Sequence, residues 1–415
     1  MALNIERVEL LLLVAAFVAM TVRRLRMPYT VGLVAAGLML ALFPALGRLT
    51  LTRELVFKVF LPPLIFEAAI QMEWPKLRRD LPVTLVLATA GVLVAAGITA
   101  AGVRYLLHWD WPAAILFAAM ISATDPASVI ATFKDAGVTG RVRMLVEAES
   151  LFNDGTAAVL FSVALAATAG AGLMAQQIAG AFLLSFAGGC VCGGVIAFVL
   201  IRIVGHTDDH LIEITFSTIA AYGSFLIAEH FRLSGVMATL TAGILFGNYG
   251  GVTAGPGAIT ERGRETVLSF WEYAAFVANS LIFLLIGVQM THQRFAAAWL
   301  PLLVVIAIVQ VSRAVTVYGC CLPFARSQLR VAPREQHILF WGGLRGALAL
   351  ALLYGVPPTV HERGLIVTSV FGIVAFSVIV QGLTMPLLLK RLGMVVPGGA
   401  AGILDGERNA DGTSR

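Results

Sequence analysis

The chain has 415 residues, 59% of them hydrophobic and only 13% charged, with a formal net charge of +5 at pH 7. That is far too apolar for an ordinary soluble protein and makes the chain an integral membrane protein. Its excess of Lys and Arg (29) over Asp and Glu (24) would hint at nucleic acid in a soluble protein, but membrane topology accounts for it here and no nucleic-acid partner is expected.

A helix crossing the hydrocarbon needs about 20 mainly apolar residues. That window predicts spans near 7–22, 29–46, 55–71, 81–106, 112–133, 144–169, 178–201, 211–230, 233–248, 266–290, 299–324, 335–354 and 364–389. The expected fold is thus an all-α polytopic membrane protein of about 13 transmembrane helices. The first run does not read as a signal peptide: Glu6 and Glu9 replace the basic leader, and Arg23, Arg24 and Arg26 follow it, so it is a retained span. Lys58, Pro62, Pro63 and Glu67 interrupt the third window, and the ninth is short. Frequent Gly (41) and modest Pro (16) suit closely packed membrane helices with a few deliberate breaks. Cys190, Cys192, Cys320 and Cys321 have neither zinc-site nor redox spacing and are expected as small packing residues. The polar stretches are Gly250 to Glu265 and the tail from Pro397, so one membrane domain (residues 1–391) and a short disordered tail (392–415) are expected.

Basic residues crowd one set of alternate loops, among them Arg78, Arg79, Lys134, Arg141, Arg143 and Arg330, and are sparse on the other side. By the positive-inside rule the crowded loops and the C-terminus are cytoplasmic and the N-terminus is outside. An odd number of spans permits two inverted repeats of six, about 7–169 and 211–389, joined by a linker helix at 178–201. Span 5 carries Thr124-Asp125-Pro126 and span 12 carries Gly342-Gly343-Leu344-Arg345-Gly346, two helix-weakening interruptions in matching places. Paired breaks of this kind point to a transporter's binding site at the repeat interface.

Carboxylates inside apolar spans cost at least roughly 2.5–3.5 kcal/mol each and normally serve a path or a site. Pro126 lacks an amide hydrogen and clashes with the carbonyl four residues back, at Ser122, so the helix should kink or unwind there and free backbone oxygens beside Thr124 and Asp125. Oxygen donors suit a small hard cation; the structural alternative is that Asp125 merely caps the segment from Ala127. In span 6, Ser150 and Asp154 share one helix face, and Glu149 and Asn153 the next. Arg313 and Arg345 also lie within spans and need negative or strongly polar partners. Glu149 is assigned to Arg313, which leaves Asp154 as the exchangeable group, where proton and cation compete for the same oxygens. Glu67 either lines the path or marks a span end. Glu147 joins the funnel or caps its helix. Glu213, Glu229 and Glu272 are expected to reach the interface, and His108, His206, His210, His292 and His361 to be solvated.

These residues resemble the sodium/proton exchanger family, the monovalent cation:proton antiporter-1 group of bacterial type. The likeness rests on Phe60-Leu61-Pro62-Pro63-Leu64-Ile65-Phe66-Glu67, Thr124-Asp125-Pro126, Glu149-Ser150-Leu151-Phe152-Asn153-Asp154-Gly155, Arg313 and Gly342-Gly343-Leu344-Arg345-Gly346-Ala347. The resemblance implies a homodimer in the bacterial inner membrane whose core bundle, built on crossing broken helices, moves in an elevator-like cycle. It implies that Asp154, Asp125, Ser150 and Thr124, with Asn153 beside them, form the cation and proton site, that Asp154 and Asp125 ligate the transported Na+, and that Glu149 and Arg313 form a structural salt bridge. Arg345 is expected to compensate charge at the breaks. Asn before the essential Asp implies electroneutral exchange, one proton for one monovalent cation. The chain is then no enzyme and needs no cofactor: Na+ (or Li+ or K+) and H+ are cargo. A K+/H+ antiporter and a cation channel are the alternatives, and an intramembrane aspartyl protease would need a Gly-x-Gly-Asp type motif that Phe152-Asn153-Asp154-Gly155 does not supply.

Overall fold

In lipid, each backbone polar group must find its partner within the protein, so apolar runs of this length can only be helices. The computed structural model describes residues 5–25, 27–43, 52–168, 175–250, 259–293 and 295–394. Most of the expected tail, the centre of the polar stretch after Gly250, and Arg26, Arg48, Arg294, Arg408 and Arg415 lie outside them.

Among the described residues there are helices and no strands. In chain order they are α1 (Ile5–Leu25), α2 (Tyr29–Leu40), α3 (53–70), α4 (Trp74–Leu106), α5 (Trp111–Ser122), α6 (Ala127–Ala136), α7 (Arg141–Thr168), α8 (Ala175–Val204), α9 (His210–His230), α10 (Gly235–Tyr249), α11 (Glu261–Met290), α12 (Trp299–Cys321), α13 (Pro333–Trp341), α14 (Ala347–Leu353) and α15 (Arg363–Arg391). Every window predicted from the sequence holds helix. Eight stretches are long and apolar enough to cross a membrane, the interrupted 111–134 stretch among them, and α1 and α2 add shorter apolar segments. Wide π-turns at Val56–Phe60, Leu87–Gly91, Ile219–Gly223 and Ser377–Gln381 interrupt α3, α4, α9 and α15.

The main apolar core joins α5, α7, α11 and α14 through fully buried side chains such as Phe117, Phe161, Ile282 and Leu350. Where α2 crosses α11, two glycines bring the backbones into contact: a Cβ at Gly37 would overlap the Leu284 carbonyl, and one at Gly287 the Val34 carbonyl. Close approach through small residues is the usual way membrane helices gain packing energy.

Two charged contacts brace the same scaffold. Arg141, at the start of α7, donates to Asp80 of α4 from Nη2 at 2.7 Å and from Nε at 2.9 Å, and to the Arg330 and Leu329 carbonyls at 2.7 and 3.0 Å. Asp80 is 2% exposed. Glu213 does not reach an interface as expected. It is fully buried and accepts from the Thr260 amide at 2.8 Å and the Thr260 hydroxyl at 3.2 Å, completing the N-terminal cap of α11. An acid there also complements the partial positive charge of the helix start.

Candidate functional site

α5 ends at Ser122, as the clash with Pro126 requires. Ala123 turns to an extended conformation (φ −61°, ψ 138°), and α6 resumes at Ala127. Asp125 Oδ1 accepts from the Ala127 amide at 2.9 Å, so this acid does cap the second half-helix. The other break lies between α13 and α14, where Gly342 to Gly346 leave the helix. The two breaks touch: the Asp125 amide donates to the Leu344 carbonyl at 2.7 Å. At Gly346 (φ −142°, ψ −139°) a Cβ would overlap the Asp125 carboxylate.

The carbonyl that Pro126 frees at Ser122 is taken by Arg345. Its Nη1 donates to the Ser122 and Ala123 carbonyls, both at 2.9 Å. These oxygens form the partially negative C-terminal end of α5, so a guanidinium from the second break offsets the dipole exposed by the first.

α7 supplies the side chains that hold the first break in shape. Ser150 donates to the Thr124 carbonyl at 2.6 Å and lies 2.8 Å from its hydroxyl. Asn153 accepts from the Thr124 amide at 3.1 Å and donates to the Thr124 hydroxyl at 2.6 Å and to Glu149 at 3.2 Å. Glu149 in turn receives both ends of the Arg313 fork, at 2.8 and 3.0 Å, while Arg313 also donates to the Leu339 carbonyl of α13 at 2.9 Å. Both side chains of this pair are almost wholly buried.

Asp154 is different. It points from α7 into a cavity of about 320 Å3 that is also lined by Thr124, Asp125, Glu67, Glu147 and Gly346. Its Oδ1 is buried without a hydrogen-bond partner, and Asp125, Glu149 and Arg345 all lie within its electrostatic reach. The cavity meets the surface beside Glu272, whose side chain is 68% exposed and sits 3.5 Å from Lys134. In the other direction its lining stops at Ala349, and the rest of α14 is packed in the core.

Of the residues singled out in the sequence, Thr124, Asp125 and Asp154 line the cavity, whereas Ser150 is bonded to Thr124, and Asn153 to Thr124 and Glu149. Glu67, left between path and span end, lies on the wall and accepts from Gln71 at 2.5 Å. Glu147 lines the same space and is held by Arg143 at 3.0 Å. Glu272 was expected at an interface and is also part of the lining; its place opposite α6 follows from packing between helices far apart in sequence and left no local mark. The constellation offers two carboxylates and a hydroxyl to a small cation, and one carboxylate oxygen with nothing bound to it inside the protein.

Comparison with known proteins gives a consistent picture. The family model described as "Sodium/hydrogen exchanger, transmembrane" matches residues 10–391. The chain is 36% identical over 372 residues to the Na+/H+ antiporter ApNhaP of Aphanothece halophytica, covering 89% of this chain and 70% of that protein. It is 38% identical over 403 residues to the low-affinity Na+/H+ antiporter NhaS1 of Synechocystis sp., covering 94% and 75%. With the Na+/H+ antiporter NhaH of Halobacillus dabanensis it shares 34% identity over 408 residues, 94% of this chain and 98% of that one. The solved structure of the sodium proton antiporter MjNhaP1 from Methanocaldococcus jannaschii at pH 8 superposes with a TM-score of 0.74 over 94% of this chain and 98% of that chain, at 21% identity. By sequence along almost its whole length the chain belongs to the sodium/hydrogen exchanger family.

Proposed function

We propose that this chain is a secondary antiporter that exchanges Na+ for H+, one for one, by alternating access, with Asp154 as the group that carries either cargo. The observation that carries the reading is the unpartnered Asp154 oxygen at the wall of a cavity whose lining also holds Asp125 and Thr124 and extends to the exposed Glu272. A carboxylate removed from water favours its protonated form, and an arriving cation favours the ionised one, so each cargo displaces the other with no covalent step. Asn153 carries no charge, Glu149 is matched by Arg313 and Glu147 by Arg143, which leaves Asp154 as the exchangeable acid of α7 and supports an electroneutral cycle. Asp125 and Thr124 supply further oxygens. Ser150 and Asn153 serve the site by fixing Thr124, a supporting place compared with direct ligation.

The names of the relatives support Na+ as cargo, and K+ or Li+ exchange is a substrate variation on the same scheme. We further propose an inner-membrane homodimer with the Arg141 side cytoplasmic, so that the cavity faces inward, and an elevator-like movement of the bundle carrying both breaks.

The test is cation-driven collapse of a pH gradient in everted vesicles, with membrane potential recorded in parallel for Na+, Li+ and K+. Native protein should exchange without net charge movement, and Asp154→Asn and Asp125→Asn should abolish exchange at unchanged membrane insertion. Full exchange in both variants would overturn the site. A cation-dependent potential would overturn the one-for-one stoichiometry, and currents characteristic of a pore would replace the antiporter with a channel.

A further inference from the structure

α15 touches the second break at three points one helical face apart. Ser377, at the start of the π-turn Ser377–Gln381, accepts from the Arg345 amide at 3.1 Å; its own proton reaches the Arg345 carbonyl at 3.1 Å or the Val374 carbonyl at 3.0 Å. Gln381, at the end of the same turn, donates from Nε2 to the Trp341 carbonyl at 3.2 Å. Thr384 accepts from the Trp341 indole at 2.9 Å. Ser377 and Gln381 are each 1% exposed, and neither lines the cavity.

Backbone released from a helix at membrane depth needs partners inside the protein, and a break built on Gly342, Gly343 and Gly346 has little shape of its own. A π-turn inside a helix is likewise a feature found frequently at functional places. Here the turn brings Ser377 against Arg345 within the glycine stretch and Gln381 against Trp341 just before it. Arg345 is the residue whose amide Ser377 holds and whose guanidinium sits on the Ser122 and Ala123 carbonyls. Displacement of the Arg345 backbone would move that guanidinium from the end of α5, and with it the Leu344 carbonyl that fixes the Asp125 amide.

We propose that Ser377 and Gln381 are positioning residues for the cation site: a clamp on α15 that sets the form of the second break and, through Arg345 and Leu344, the placing of Asp125 opposite Asp154. The inference rests on the antiporter reading for its functional consequence, but the clamp itself has a readout that does not.

Hydrogen exchange of the full-length protein in detergent, followed over peptides spanning 341–348, compares native protein with Ser377→Ala, Ser377→Thr and Gln381→Met. The last keeps the length of the side chain and removes its amide, and with it the bond to the Trp341 carbonyl, so it serves if Ser377→Ala fails to insert. Vesicle exchange gives the apparent cation KM and maximal rate for the same set. Faster exchange confined to the break, with KM raised about fivefold per hydrogen bond lost, a near-native maximal rate, and recovery in Ser377→Thr, is the expected result. Unchanged protection of 341–348 in both Ser377→Ala and Gln381→Met overturns the clamp whatever the protein transports. Faster exchange with an unchanged KM overturns its link to the site. Absence of cation exchange in the native chain, by contrast, is a failure of the antiporter reading and leaves the protection result standing.

Discussion

Glu149 and Arg313 show what a membrane interior asks of a charge. The pair is bidentate and almost fully buried, and each partner has a further contact, with Asn153 and the Leu339 carbonyl. Removing one member of such a pair leaves the other uncompensated, at a cost of roughly 3–5 kcal/mol. Glu149→Gln should therefore lower the thermal midpoint of the purified protein markedly, and Arg313→Lys should lower it less, because the charge survives while the fork is lost. An unaltered midpoint in Glu149→Gln would contradict a structural role. The sequence made this pairing readable, since an intramembrane arginine demands an acid and few are available. It did not make Asp80 readable: an acid beside Arg78 and Arg79 at a span end looks solvated, and only the fold reveals that Arg141, in another helix, buries it. Glu213 is hidden for the same reason, because its partner Thr260 lies within a polar stretch far along the chain that gives no hint of return.

At the scale of helices, the two interruptions were legible one at a time. Pro126 dictates the end of α5 at Ser122, and three glycines within 342–346 dictate the gap before α14. That the breaks cross was implied by the family resemblance, but the particular contact was not legible, because Arg345 and Ser122 are brought together by the packing of α5 against α14 and α15, which no local pattern encodes. The contact imposes a narrow tolerance. A methyl at position 346 would occupy the space of the Asp125 carboxylate, so Gly346→Ala should cut exchange at least about tenfold, the equivalent of roughly 1.4 kcal/mol in transition-state stability, with helical content by circular dichroism preserved. Native rates in this variant would show that the breaks are not in the register described here.

Across the whole molecule, the proposed elevator-like cycle has its most direct test at the seam between α6 and α2. Thr30 of α2 and Ser128 of α6 are hydrogen-bonded partners, and both are buried, three residues from the Asp125 side of the break. An elevator-like cycle must part them. With Cys190, Cys192, Cys320 and Cys321 replaced, a Thr30→Cys/Ser128→Cys double variant should therefore lose vesicle exchange on oxidation and regain it on reduction. Full exchange in the verified cross-linked state would exclude sliding of α6 along α2.

The crossing of α2 with α11 at Gly37 and Gly287 bears on the same question from the other side of the seam. Two backbones in direct touch share one rigid spine, since neither rod can roll without lifting off the other. α11 contributes Glu272 and Asn279 to the cavity wall, while α2 presents Thr30 to the seam. The rim of the passage and the rail beside it are thus one mechanical part, so a bulky residue planted at either glycine would misalign both at once, far from any charge.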